Sequence, residues 1–313
     1  MNNREKLNYF NILALKKAFK NGENITDILR NQKNIIDNQQ LIEISYDIQA
    51  GSYIEYAIKN SAHFNLVTSE MANIIDTHLM PRKSILDIGT GELTTLSYII
   101  KNLKNKPKNI FAFDISWSRI DKGLSFAEKY MGDNEYLNLH AFVGDIKRIP
   151  LLDKSIDIAI SNHSLEPNGR DIGELIAELF RVTIDKLILF EPCYEINTAE
   201  GRKRMDKFNY IKNVDGVIAE LKGKLLDKIQ IKNTDNPLNP TVCYIVKPPE
   251  ISQNFSLKDI EKNNIFSFPG TNMSISKNDN FYFSNDTGLA FPIIKSIPVL
   301  RLDTAILTSS LIN

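Results

Sequence analysis

The stretch Ser84-Ile85-Leu86-Asp87-Ile88-Gly89-Thr90-Gly91-Glu92-Leu93 constrains the fold more than any other part of the chain. An apolar run of strand length enters a turn with two glycines, and a helical pattern then runs from Thr94 to Lys104. Gly89 and Gly91 carry no Cβ, so the backbone can turn tightly and a ligand can approach N–H groups at a helix start. The same turn closes many ordinary strand–helix junctions, so its meaning rests on the residues downstream of it.

Strands and helices alternate after this turn. Strand Asn109–Asp114 leads into helix Trp117–Tyr130; strands Asn138–Val143 and Ile156–Ser161 come next, then helix Asp171–Val182 and strand Lys186–Phe190. This predicts an α/β fold with a mostly parallel, Rossmann-like sheet covered by helices on both faces. Leu226–Ile231 and Val242–Val246 flank a loop containing Asn236-Pro237-Leu238-Asn239-Pro240, which predicts an antiparallel last pair. Upstream, apolar residues recur only at helical spacing, in Tyr9-Phe10-Ile12-Leu13-Leu15 and Met71-Ile74-Ile75-Leu79. The prolines Pro248-Pro249 stop helix and ladder alike. The expected organisation is an N-terminal helical region or lid over 1–80, a sheet domain over 81–249 and a small β-rich module over 250–313.

Charge narrows the partners. The 313 residues hold 38 basic and 38 acidic side chains, so no bulk field favours nucleic acid or an anionic membrane. The amphipathic start lacks a secretory pattern and no apolar run reaches spanning length, so a soluble cytoplasmic protein is expected. Cys193 and Cys243, with four histidines, are too few and scattered for a structural zinc site or a disulfide framework; no metal is expected.

Acids at strand ends indicate the ligand. Thr94 stands where a dinucleotide fingerprint has its third glycine, and Asp87 would repel a pyrophosphate while suiting a cationic ligand. Asp114 ends the second strand, where an acid can accept both hydroxyls of a ribose. Asp145, in Val143-Gly144-Asp145-Ile146, ends the third, where it can take an adenine amino group while Ile146 packs the ring. In an open parallel sheet these ends line one crevice. Farther upstream, Tyr46, Gln49 and Tyr53 fall at i, i+3 and i+7 and would share one helical face. They form either a lid over a zwitterionic ligand or a buried face with satisfied hydroxyls.

Over about 80–247 the chain resembles the class I S-adenosylmethionine-dependent methyltransferases of the type 11-like group. Ile85–Gly91 is similar to their first motif and Ser155–Asn162 to their fourth-strand motif. The resemblance implies S-adenosylmethionine as cofactor, with Asp87, Gly89 and Gly91 in the cradle and Asp114 and Ile115 at the ribose. It places Gly144, Asp145 and Ile146 at the adenine, and Asn162 nearby.

Methyl transfer is an in-line displacement in which positioning supplies much of the rate, and a general base is needed for a hydroxyl or protonated amine. The fourth strand's end, Asn162-His163-Ser164-Leu165-Glu166-Pro167-Asn168, should face the methyl group. His163 is the candidate base, Glu166 and Asn168 candidate acceptor ligands, and Glu191 either orients His163, binds a substrate amine or is structural. The run Arg202-Lys203-Arg204 with Lys207 is a solvated helix face or a phosphate hold.

The segment Phe291–Leu300 resembles the ending of small zinc-ribbon-like methyltransferase activator proteins, without their cysteines; Phe281, Tyr282 and Phe283 would have to replace the metal as its core. The expected function is O- or N-methylation of a small polar metabolite such as a sugar, a nucleotide-sugar or another biosynthetic intermediate. The alternatives are a tRNA or rRNA methyltransferase with a fused activator and a non-catalytic scaffold. Neither the acceptor nor the oligomeric state is written in the sequence.

Overall fold

The structure, a computed structural model, describes residues 11–31, 38–80, 83–234, 236–250 and 265–312. Tyr9 and Phe10 of the expected first helix lie outside the described residues, as does the stretch 251–264 behind the paired prolines.

Among the described residues the first elements are the helices α1 (Ile12–Lys20), α2 (Ile25–Arg30), α3 (Asn38–Ile48), α4 (Ser52–Lys59) and α5 (Ser61–Asp76). Asparagines start two of them, with Asn11 accepting from the Ala14 N–H at 3.0 Å and Asn24 from the Asp27 N–H at 3.2 Å. The single helical face expected for Tyr46, Gln49 and Tyr53 is absent. Gly51 takes φ +107°, a left-handed value that ends any helix built of other residues, so α3 stops at Ile48 and α4 starts at Ser52. Gln49 falls in the break between them.

The sheet contains β1 (Ser84–Ile88), β2 (Asn109–Asp114), β3 (Leu139–Val143), β4 (Ile156–Asn162), β5 (Thr183–Pro192), β6 (Lys224–Gln230) and β7 (Thr241–Lys247), in the order β3-β2-β1-β4-β5-β7-β6. The first five strands run parallel, and β7 pairs antiparallel with both neighbours. This is the predicted sheet with its antiparallel ending. Helices α6 (Thr94–Asn102), α7 (Trp117–Tyr130), α8 (Asp133–Leu137) and α9 (Ile172–Val182) make the crossovers, and α10 (Ala199–Phe208) and α11 (Val214–Glu220) fill the connection from β5 to β6.

Strand periodicity sorts the core into two layers. Leu86 and Ile88 of β1 pack on one face with Leu175, Ile176 and Leu179 of α9, whereas Ile85 packs on the other with Met71 and Ile75 of α5 and Leu96 and Ile99 of α6. Both faces are thus covered, as a parallel sheet requires.

The C-terminal residues form a small antiparallel sheet of β8 (Ser276–Lys277), β9 (Phe281–Ser284), β10 (Leu289–Ile294), β11 (Ile297–Pro298) and β12 (Ile306–Leu307). The β10–β11 turn uses Lys295 and Ser296, both at positive φ, the geometry that suits the twist of a tight hairpin. Of the expected core aromatics, Tyr282 and Phe283 are buried and Phe281 is half-buried. Tyr282 packs with Phe266, Phe291 and Leu300 in the same cluster as Leu86 and Ile88, so this sheet shares the main core. Val299 also bridges Val143 in parallel, and the Leu300 N–H donates to the Val143 carbonyl at 2.9 Å. The open edge of β3 is covered at that point.

Candidate active site

The carboxyl ends of β1, β2, β3 and β4 open on one cavity of about 1170 Å³. Its walls include Gly89, Asp114, Ile115, Gly144, Asp145, Ile146, Asn162, His163 and Glu166, together with Tyr46 and Tyr53. Most of the residues picked from the sequence therefore meet around one space. Gln49, Asp87, Gly91 and Glu191 are not on its wall.

Each turn is held by the next. Gly89 and Gly91 both lie at positive φ, +62° and +58°. A Cβ on Gly89 would stand 2.5 Å from the Ser164 Cβ, so the turn and the β4 loop approach each other only because that residue is glycine. Asp114 ties the cradle together: its carboxylate accepts from the Gly91 N–H at 3.0 Å and from the Ser116 N–H at 2.9 Å. Ser116 in turn caps α7 by accepting from the Arg119 N–H. Burial pushes the Asp114 carboxyl up, against the opposing pull of Arg119 and the backbone donors.

Asp87 lies behind the turn, 5% exposed, and accepts from the Thr90 hydroxyl at 2.5 Å. Burial pushes its carboxyl up to about 7. It acts on the cavity through the shape of the turn.

The β4 loop carries a second polar cluster. His163 stands at φ +54°, with Nδ1 2.7 Å from Glu166 Oε2 and Nε2 2.8 Å from Thr241 Oγ1. Asn239 Nδ2 donates to the same Glu166 oxygen at 3.0 Å. Burial alone would raise the Glu166 carboxyl, but the hydrogen bond and charge of His163, with donors from Asn239 and Tyr210, hold it below the usual range. An ionised Glu166 only accepts, so a proton on Nδ1 points at it, and whenever the ring is neutral Nε2 is the acceptor of the Thr241 hydroxyl. Thr241 and Asn239 escaped the sequence reading; they sit on and before β7, far away in sequence, and the loop's prolines read only as a turn signal.

Glu191 is fully buried behind this loop. Its Oε1 accepts from the Ser161 hydroxyl at 2.8 Å and from the Ser164 and Leu165 N–H groups at 3.1 Å each, while Oε2 has no partner. It shapes the backbone that carries His163 and does not reach a substrate amine. Burial pushes its carboxyl from the ordinary 4.5 up to about 7. Between those values the folded chain holds a proton that the unfolded chain has released, so Glu191 makes stability fall as pH rises from about 4.5 to about 7. Buried Asp87 acts in the same direction between 3.8 and about 7. Glu191→Gln keeps an acceptor for the three donors and removes the titration. Urea denaturation at pH 5 and pH 8 should show the variant gaining on the wild type at the higher pH, and an unchanged pH slope would exclude this account.

Arg119 is the other residue missed. It is 3% exposed, lines the cavity and lies over the rings of Tyr46 and Tyr53, 4.4 and 4.3 Å from their centroids. The only signal was a charged residue on the buried stripe of α7 with Ile120, Gly123 and Ala127.

A known family described as "Methyltransferase domain" matches residues 85–185. Those are the residues that build β1 to β4 and the start of β5. This stretch is a methyltransferase domain. Magnesium protoporphyrin IX methyltransferase (ChlM) from Synechocystis PCC 6803, solved with bound SAH, superposes with a TM-score of 0.52 at 12% identity, covering 68% of this chain and all (100%) of that one. It supports the same fold for the methyltransferase domain and its flanking elements. Two more distant likenesses are geranyl diphosphate C-methyltransferase from Streptomyces coelicolor A3(2) and a SAM-dependent methyltransferase from Aquifex aeolicus. The first has a TM-score of 0.45 at 11% identity, covering 57% of this chain and 80% of that one; for the second the values are 0.41, 14%, 55% and 85%. No curated protein matches the sequence.

Proposed function

We propose that the chain transfers the methyl group of S-adenosylmethionine to an oxygen or nitrogen of a small polar metabolite, such as a sugar, a nucleotide-sugar or another biosynthetic intermediate. The observation that carries this reading is the His163–Glu166–Thr241 cluster opening on the same cavity as Asp114 and the Gly89 turn.

The cradle fits the cofactor. Gly89 lets the turn pack against the β4 loop at the cavity wall, Asp114 offers a carboxylate suited to ribose hydroxyls, and Asp145 and Ile146 line the same cavity with an acid and an apolar side chain suited to an adenine edge and face. Tyr46 and Tyr53 close the side formed by the N-terminal helices. When bound, S-adenosylmethionine supplies an electrophilic sulfonium methyl.

The rest of the cavity suits a small acceptor. Phe64, Val67 and Met71 of α5 and Ile231 form an apolar wall, while Asn162, Asn168, Asn233, Asn236 and Asn239 offer neutral donors and acceptors. Such a surface favours a molecule with hydroxyl or amide groups around a compact body. His163 Nε2, oriented through Nδ1 by Glu166, accepts from the Thr241 hydroxyl, so an acceptor hydroxyl or ammonium gives its proton to Thr241 Oγ1 as Thr241 passes its own to Nε2.

Incubating the protein with labelled S-adenosylmethionine and separate metabolite and RNA fractions tests the reading; label in RNA alone would overturn it. The cofactor half has its own check. Asp114→Ala should weaken S-adenosylmethionine binding by about 1.5–3 kcal/mol, the value of a charge-assisted contact, and unchanged affinity by calorimetry would remove Asp114 from the ribose.

A further inference from the structure

The mechanism leaves one buried cation on the cavity wall unused. The Arg119 Nε–H donates to the Tyr46 carbonyl at 3.1 Å, but Nη2 is buried and has no hydrogen-bond partner. Among the described residues no carboxylate forms an ion pair with it. The neighbouring acids are committed elsewhere. Glu92 accepts from the Gly51 and Ile54 N–H groups at 2.9 Å each, and Asp114 accepts from Gly91 and Ser116. Both still pull the guanidinium electrostatically, as do the two tyrosines.

The position matters as much as the unmet donor. A Cβ on Gly91 would meet Arg119 Nη1 at 3.3 Å and the Tyr53 ring at 3.7 Å, so the guanidinium covers the second glycine of the turn. A ligand arriving there meets a planar cation in contact with two tyrosine rings. Buried guanidinium N–H groups without acceptors are costly, and the ring faces of Tyr46 and Tyr53 offer no lone pair to satisfy Nη2, which leaves that donor for an anion. A carboxylate matches that fork; a ribose hydroxyl would leave the charge uncompensated.

We propose that Arg119 is a carboxylate receptor in the cofactor cradle and holds the carboxylate of the methionyl tail of S-adenosylmethionine, making that group a requirement for tight binding. This rests on the proposed use of S-adenosylmethionine. A carboxylate on the acceptor is the other source, but Arg119 sits with Gly91 and Asp114, whereas the candidate base His163 is on the β4 loop.

Calorimetry with three ligands tests it: S-adenosylmethionine, its decarboxylated counterpart, which keeps the sulfonium and loses only the carboxylate, and 5′-methylthioadenosine. The wild-type protein should bind S-adenosylmethionine about 10- to 100-fold more tightly than the decarboxylated form. In Arg119→Met that preference should vanish while 5′-methylthioadenosine binding is retained, and Arg119→Lys should restore part of it. Equal wild-type affinity for the first two ligands overturns the proposal whether or not any variant folds. An equal loss for all three ligands in Arg119→Met also overturns it, while leaving the cofactor reading intact. If the wild type binds none of the three, the cofactor reading falls and this inference with it.

Discussion

His163→Asn is expected to lower kcat by about 10²- to 10⁴-fold, the contribution of a positioned general base, with S-adenosylmethionine affinity left essentially unchanged. Asparagine is the informative replacement because residue 163 sits at φ +54°, a left-handed conformation that asparagine accepts and alanine does not. The loop should stay in place while its only imidazole is lost. The ring nitrogens of His163 meet Glu166, Thr241 and Asn239, whereas Asp114 is bonded to the Gly91 and Ser116 N–H groups, so cofactor binding serves as an internal control. Glu166→Gln should give a smaller loss, since the amide oxygen can still accept from Nδ1 but lacks the charge that stabilises an imidazolium. An acceptor that is already an anion needs no base. Full turnover by His163→Asn on the natural acceptor would therefore remove His163 from the chemistry and point to a pre-ionised nucleophile.

How much of this was legible in the sequence depends on which interactions are local. The bounds of β1 and β2 and the whole of α7 were readable because strand alternation, the two glycines and the Ser116 cap are encoded within a few residues. The acids at Asp114 and Asp145 were readable because strand ends converge in any parallel sheet. Helical spacing alone failed for Gln49. Tyr46 and Tyr53 still met in space, but through a helix break at Gly51 that periodicity does not register. The role of Glu191 depended on its depth, which strand position does not reveal: it points under the loop, not into the crevice. Thr241, Asn239 and Arg119 were invisible for a related reason. Each gains meaning from a partner far along the chain, His163 and Glu166 for the first two and the tyrosine pair for the third.

The same logic of distant partners gives the largest expected effect on stability, at Arg301. This residue of the C-terminal segment is 4% exposed and pairs with Glu43 of α3 at 2.7 Å and with Asp303 at 2.5 Å. It also donates to the carbonyl of Ile115 at 3.2 Å, next to Asp114. One guanidinium therefore joins an N-terminal helix, the C-terminal sheet and the loop after β2. Desolvation already pushes the Glu43 carboxyl up, so taking away its cation leaves a carboxylate that solvent reaches poorly. Breaking a buried pair from one side costs about 3–5 kcal/mol. The side chains of Glu43 and Asp303 keep 29% and 37% exposure, which places Arg301→Met near the lower end of that range. S-adenosylmethionine affinity should fall as well, because the Ile115 carbonyl loses a donor beside Asp114. Pairing Arg301→Met with Glu43→Gln in a double-mutant cycle should recover part of the stability loss, since the second change removes the stranded charge. Strict additivity in that cycle, with cofactor affinity unmoved, would show that Arg301 only packs and that the two ends of the chain are not coupled through it to the cradle.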